Sequence, residues 1–476
     1  MDLSSRLRAI VKSGPPKLVP PALSERDGHA SRKAELTYEP DTGRYEASLD
    51  LDQVAAVLGG RPADTPFGRC LIVDRRYEAD RWHGGVRIGD CEVQDFGPLA
   101  ILDPALTDGT GGLTPGTRGQ TPDVPLRTFQ RTIFIDLETT GLSGGAGTVA
   151  FLVGCGYFDL GAFQVRQFLL TSHASERALL HAVAEFFKGT DLIVSYNGKT
   201  FDVPVMETRW LFHRLQMPLD NVPHFDVLHP ARRLWRARSG PADADDGGCR
   251  LSTLERTLFN VNRVGDVGGF EIPGRFFQFL RSGDPRPLEA VLEHNRLDLV
   301  SLAAVMARAV ALTRGGHEAC RDCHEALALG RIYERAASDE RLSDRERVRS
   351  HAEICYRRGA QSRTVEVKAE ALYRLALSHR RERRFGEAAA AWREILDLTE
   401  PKSVQRMTGM KPLRRFAAEA LAIHHEHRDR DLDSARELAL FALQDSDGRR
   451  ADDVRHRLAR LDRKIAKKTD AQLFWS

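Results

Sequence analysis

The chain has 476 residues, 42% hydrophobic and 29% charged, with a formal net charge of +3. This is enough for two or three domains with real cores, and it excludes a general polycation, so any nucleic-acid contact must come from local basic patches. Seven cysteines are too few for a disulfide framework, no apolar run nears the ~20 residues of a membrane span, and "MDLSSRLRAIVKSG" lacks a signal-peptide core, so a cytoplasmic protein with no membrane partner is expected.

Residues 1–130 read as a loose leader, a few short strands such as "CLIVDRRY" and "GVRIGDCEV", and a Gly/Pro-rich linker at 103–126. From 131 the pattern becomes α/β. "RTIFIDLETTGL" opens as a buried strand, and "TVAFLVGCGYFDL" and "AFQVRQFLLT" form a hairpin around Asp159–Gly161. "SERALLHAVAEFFK" is an amphipathic helix, "DLIVSYNG" a strand with a turn, "FDVPVMETRWLFHRL" a helix, and "VPHFDVLHPARRLW" a strand feeding a helix. Ser252, with Glu255 three residues later, reads as a capped helix start, and 287–312 as one long helix. The expectation is a mixed five-stranded sheet flanked by helices over 131–316. Beyond about 320 the strands stop. Ala352, Ala388 and Ala435 recur in similar settings, 36 and 47 residues apart, so 317–476 reads as irregular tetratricopeptide-like helical repeats, with "KSVQRMTGMKP" inserted. The separate periodicity of this region predicts that 131–316 retains some chemistry alone.

Asp136 and Glu138 sit two apart near the end of the first strand, so both project from one face. Ligand sites of α/β sheets lie at such strand ends. Asp202 begins a helix after a turn, and Asp298 lies within an apolar helix, flanked by Leu297, Leu299, Val300 and Leu302. Four carboxylates gathered at one point would repel unless divalent cations held them, and an all-oxygen ligand set suits two Mg²⁺ or Mn²⁺ ions. Such a pair supplies water activation and steadies a leaving oxygen in phosphoryl chemistry.

"FIDLETTGL", "SYNGKTFD" and "HNRLD" resemble, in order, the three exonuclease motifs of the DEDD superfamily of 3′→5′ exonucleases, which has the ribonuclease-H-like fold. The resemblance spans about 131–312 and is nearest to the bacterial YprB-like branch, whose members often carry C-terminal tetratricopeptide repeats. It implies Asp136, Glu138, Asp202 and Asp298 as metal ligands, with Asp136 bridging both ions. It implies Thr140, Leu142, Asn197 and Phe201 beside the substrate. The third motif usually carries Tyr-x3-Asp or His-x4-Asp; here His294 stands at the tyrosine spacing and shares a helix face with Asp298. The implied activity is metal-dependent exonucleolysis of DNA or RNA bearing a single-stranded 3′ end, with the repeats docking a protein partner. A non-catalytic nucleic-acid-binding scaffold and an endonuclease of the same fold are the alternatives.

Other features have blander readings beside sharper ones. Asp226 is a helix cap or a fifth acid of the site. Arg232, Arg233, Arg236 and Arg238 are a solvated face or a phosphate track. Gly144, Gly145 and Gly147 loosen a loop or let backbone approach a phosphate. His317, Cys320, Cys323 and His324 have the spacing of a zinc knuckle, but all four ligands would come from one short stretch, so a helix start with incidental thiols is preferred. His83 is assigned no role.

Overall fold

The computed structural model describes residues 36–39, 44–47, 50–108, 129–141, 147–236, 249–342, 344–398, 410–446 and 448–473. Leu142, Gly144, Gly145, Arg238 and most of the "KSVQRMTGMKP" insertion lie outside the described residues.

The strand pair β1 (Leu36–Glu39) and β2 (Arg44–Ala47) precedes helix α1 (Leu51–Leu58). The Asp50 carboxylate caps α1 by accepting the Asp52 and Gln53 amides. Then follow β3 (Arg61–Thr65), β4 (Gly68–Tyr77) and the short pair β5 (Trp82–His83) and β6 (Val86–Arg87). Next come β7 (Thr132–Thr139), β8 (Ala150–Asp159), β9 (Ala162–Leu169), α2 (Glu176–Phe186), β10 (Leu192–Ser195), α3 (Asp202–Phe212) and β11 (His224–Asp226). Helices α4 (Leu228–Trp235), α5 (Leu251–Phe259), α6 (Ile272–Ser282) and α7 (Pro287–Ala319) complete this part.

Seven strands, not five, form the main sheet, in the order β11-β10-β7-β8-β9-β4-β3. β10 is parallel to both β7 and β11; the chain reaches it from β7 through β8, β9 and α2 and leaves it for β11 through α3, and the remaining neighbours are antiparallel. The two extra strands come from residues assigned by sequence to the region before the α/β unit. β4 pairs with β9 from Leu71↔Leu169 to Tyr77↔Phe163, which covers an edge that would otherwise be open. The β8–β9 turn places Leu160 and Gly161 at φ 50° and 74°, the left-handed pair that a two-residue hairpin requires.

Alternation along β7 divides the core. Ile133, Ile135 and Leu137 pack with Phe151, Val153, α2, α3 and α6, whereas Phe134 packs on the other face with Val194, Phe225, α4, α5 and the later part of α7. Asp136 and Glu138 share the Phe134 face by strand period. Sequence reading misplaced the start of α5: Arg250 is its N-cap, with no side-chain cap, and Glu255 is 2% exposed and turned inward.

The rest is all-helical: α8 (Cys323–Ala336), α9 (Arg345–Gly359), α10 (Val365–Arg381), α11 (Phe385–Leu398), α12 (Lys411–His424), α13 (Leu432–Gln444) and α14 (Gly448–Leu473), with sequential neighbours packed together. Asp322 caps α8, and the Cys320 thiol donates to the Gly316 carbonyl. No helix among the described residues is long and apolar enough to cross a membrane. The chain does not divide at 316. α7 continues to Ala319 across a break at Gly316, and one apolar cluster runs from Phe134, Trp235 and Leu302 into Leu329, Tyr333, Tyr356 and Leu375. The buried Glu325 carboxylate of α8 accepts from Trp235 Nε1 (2.9 Å) and Arg308 Nη2 (2.8 Å), both on the sheet side of that junction.

Two histidines staple buried elements. His83 Nε2 lies 2.8 Å from Ser301 Oγ, and His224 Nε2 lies 2.7 Å from Ser195 Oγ. Burial pushes both imidazoles down to about 4. The unfolded chain, with histidines near 6.5, therefore binds more protons between those values, and stability is lost as pH falls from about 6.5 to about 4. The raised carboxyls of Asp136, Glu138 and Asp202 act in the opposite direction over this range, so a His83→Gln/His224→Gln variant isolates the histidines: from pH 7 to pH 5 its urea midpoint should rise relative to that of the wild type. Midpoints that run parallel would show that these histidines do not contribute to the acid limb.

Candidate active site

The site grows from one cross-strand row. Asp136 on β7 is opposite Gly154 on β8, which is opposite Gln167 on β9. The missing side chain at Gly154 leaves room for α7 to press a fully buried amide, Asn295, into the sheet; a Cβ at 154 would lie 2.1 Å from Asn295 Oδ1. Asn295 Nδ2 donates to the Asp136 carboxylate (2.8 Å) and to its carbonyl (3.1 Å), while Asn295 Oδ1 accepts from Gln167 Nε2 (2.8 Å). Arg296 Nη1 in turn donates to Gln167 Oε1 at 3.2 Å. Asp136 is thus aimed by a satisfied buried network. Gly154→Ala should dislodge Asn295 and cost about 1–3 kcal/mol by overpacking. Denaturant unfolding would show it, and an unchanged midpoint would mean that Asn295 has another place to go.

Asp202 enters from the opposite side of the row. It is the first residue of α3 and 6% exposed. The preceding loop is organised by Asp226 at the end of β11, whose carboxylate accepts the amides of Asn197 (2.8 Å), Lys199 (3.1 Å) and Leu228 (3.1 Å). Asp226 therefore satisfies the first amide of α4, whose N-cap is Val227, and fixes the loop that presents Asp202. Gly198 permits the tight turn, since a Cβ there would lie 2.4 Å from Ser195 Oγ and 3.0 Å from Asp202 Oδ2.

Asp298 and His294 come from α7, one turn apart, with Nε2 of His294 3.5 Å from Asp298 Oδ2. His294 Nδ1 lies 2.8 Å from Asp266 Oδ1. Burial raises the Asp266 carboxyl, but the His294 hydrogen bond and the His294 and Arg263 charges outweigh it and hold it below the usual carboxylate range. An ionised Asp266 only accepts, so Nδ1 carries the hydrogen and, in the neutral ring, Nε2 presents its lone pair toward Asp298. Arg263, nearly buried, spans three acids: Glu255 by two bonds of 2.8 Å, Asp266 at 3.2 Å and Asp298 at 2.5 Å. Ser301 and His83 continue this chain behind Glu255.

Burial and like charge act together on two of the four acids and burial on a third. Burial, then the charges of Asp298, Glu138 and Asp202, push the Asp136 carboxyl well up; burial, then Asp298, Asp202 and Asp266, do the same to Glu138. Burial raises Asp202 to about 7, with Asp226 adding to the rise. Of the four, Asp298 alone among the described residues has a cation, Arg263, against it. Among the described residues no three His, Cys, Asp or Glu side chains are drawn close enough to share an ion as placed; Asp136 is bonded to Asn295 and Asp298 to Arg263. An all-oxygen set short of positive charge nonetheless fits Mg²⁺ or Mn²⁺.

A family model described as the RNase_H superfamily matches residues 133–310. These residues form a ribonuclease-H-like domain. The chain is 28% identical over 341 residues to the "Uncharacterized protein YprB" of Bacillus subtilis (strain 168), covering 70% of this chain and 75% of that one. Among solved structures, the family B DNA polymerase from the hyperthermophilic archaeon Pyrobaculum calidifontis overlaps 58% of this chain but only about half, 49%, of its own. That overlap has 10% identity and a TM-score of 0.30.

Within the ribonuclease-H-like domain the other sequence candidates are placed as follows. Thr140 Oγ1 accepts the Val149 amide, closing the base of the loop after β7. Asn197 has φ 70°, and its side chain accepts from Thr200 Oγ1 at 2.8 Å, which is turn chemistry. Phe201 is partly buried against the core. Sequence reasoning missed Asn295, Gln167, Arg263, Asp266 and Glu255. Asn295 carries no local signal, since Glu293, His294, Arg296 and Asp298 surround it in the helix.

Proposed function

We propose that the protein is a metal-dependent nuclease that removes nucleotides from 3′ ends of DNA or RNA, acting in the cytoplasm with two divalent cations. What supports this reading is that Asp298 and Asp202 add their charge to the raised carboxyls of Asp136 and Glu138, at one end of a ribonuclease-H-like sheet. Those four would hold Mg²⁺ or Mn²⁺, which when bound supply charge neutralisation and activation of the attacking water. His294 would accept the proton at Nε2, held in the right tautomer by Asp266. Thr140, Leu142, Asn197 and Phe201 would line the substrate end. Helices α8–α14 would act as tetratricopeptide-like repeats that dock a protein partner. A 3′-phosphate-blocked oligonucleotide should resist degradation. Degradation that proceeds equally fast with the block in place would remove the 3′-directed reading.

The hold of Arg263 on Asp298 favours a second reading, a nucleic-acid-binding scaffold whose acids are neutralised by protein groups. Calorimetry with Mn²⁺ separates the two. Binding that is lost in Asp136→Asn supports the nuclease, and no binding supports the scaffold.

A further inference from the structure

Between the end of α4 and helices α8 and α10 lies a cavity of about 850 Å³. Six arginines line it: Arg232, Arg233 and Arg236 from the ribonuclease-H-like domain, Arg331 and Arg335 from α8, and Arg374 from α10. Two are already matched. Arg331 pairs with Glu370, and Arg374 lies 3.0 Å from Glu334 and 3.8 Å from Glu370. Arg232, Arg233, Arg236 and Arg335 have no carboxylate within ion-pair distance among the described residues. Arg233 and Arg335 face each other closely enough that, after burial, Arg335 is the main influence lowering the Arg233 pKa. Like charges held together across a cavity leave room and charge for an anion between them.

Helix α4, whose Arg232, Arg233 and Arg236 line or flank the cavity, is tied to the loop that presents Asp202, because the Asp226 carboxylate accepts the amides of Asn197, Lys199 and Leu228. Arg232 acts electrostatically on Tyr196, the residue just before Asn197. Lys199 of the same loop pairs with Asp103 (3.0 Å), which also acts on Arg233. Guanidinium forks match phosphate oxygens two at a time, and a nucleic-acid strand offers one phosphate per nucleotide.

We propose that this cavity binds backbone phosphates of single-stranded nucleic acid, holding the substrate strand between the ribonuclease-H-like domain and the helical region. The inference rests on the nuclease reading for its choice of ligand, but its test does not depend on cleavage. The full chain would be titrated, in EDTA, against a 5′-fluorescent single-stranded oligonucleotide, followed by anisotropy across a salt series. Arg233→Gln/Arg335→Gln should weaken binding about tenfold or more and reduce the log–log salt slope by about 1.4, from ~0.7 per lost phosphate contact. Arg233→Lys/Arg335→Lys should keep the slope, and Arg236→Gln, at an exposed helix end, should lose about half as much of it. Unchanged affinity and slope in the glutamine variants would overturn the proposal. So would displacement of the strand by a polyglutamate peptide as readily as by unlabelled oligonucleotide, since the cavity would then read charge alone. A strand bound through these arginines yet never cut would count against the nuclease reading and leave this one standing.

Discussion

Replacing Asp136 with asparagine is expected to slow phosphodiester hydrolysis by roughly 10³-fold or more while raising the melting temperature of the cation-free protein. Both effects have one origin. The Asp136 carboxylate sits beside three other acids, and burial and mutual repulsion already push it toward its protonated form. Its side-chain partner among the described residues, Asn295 Nδ2, donates to it, and an asparagine at 136 can present its Oδ1 in the same place. The fold therefore loses no hydrogen bond and sheds a repulsive charge, whereas cation-assisted chemistry loses an anionic ligand. Asp298→Asn should fail in activity to a similar degree but without the stabilising bonus, because Arg263 already balances that charge. Initial rates on a labelled oligonucleotide with Mn²⁺, alongside thermal melts, would test both. Activity of Asp136→Asn within about tenfold of wild type would show that this carboxylate does not hold a cation needed for the reaction.

Cutting the chain to residues 131–316 is expected to abolish cooperative folding, contrary to what the periodicity of the sequence alone implies. Leu327, Leu329, Ile332, Tyr333, Val348 and Tyr356 all belong to the cluster that also contains Trp235, Leu302 and Val305. At about 1.5–3 kcal/mol for each buried side chain, losing them removes on the order of 10 kcal/mol, comparable to the ~5–15 kcal/mol net stability of a whole domain. The cut also takes away Glu325, leaving Trp235 Nε1 and Arg308 without the carboxylate they share, and it removes β4 from the edge of β9. A thermal scan followed by circular dichroism should show no sharp transition. A soluble monomer with a cooperative melt would mean that the two regions are separable after all.

Parts of this architecture are legible in the chain because they are local. The alternation in "RTIFIDLETTGL" marks β7 and sets Asp136 and Glu138 on one face, as the core division confirms for Phe134 against Ile133 and Ile135. His294 and Asp298 share a helix face because four residues make about one turn. What stayed hidden depends on distant pairing. Nothing near β4 announces that it will join β9, some ninety residues later in the chain. The row Asp136–Gly154–Gln167, closed by Asn295, takes one residue from each of four elements, and its key member is a glycine valuable only for what it lacks. Glu255 looked like half of a capping box because capping is local, whereas its actual partner, Arg263, lies beyond the end of its helix.

The most direct measurement is the product pattern from a 5′-end-labelled single-stranded oligonucleotide incubated with the full chain and Mg²⁺ or Mn²⁺. A 3′→5′ exonuclease with Asp136, Glu138, Asp202 and Asp298 as cation ligands gives a ladder that shortens stepwise from the 3′ end, is absent in EDTA and is absent with Asp136→Asn. Immediate release of the labelled 5′ nucleotide, or intact oligonucleotide of both DNA and RNA with either cation, would contradict it.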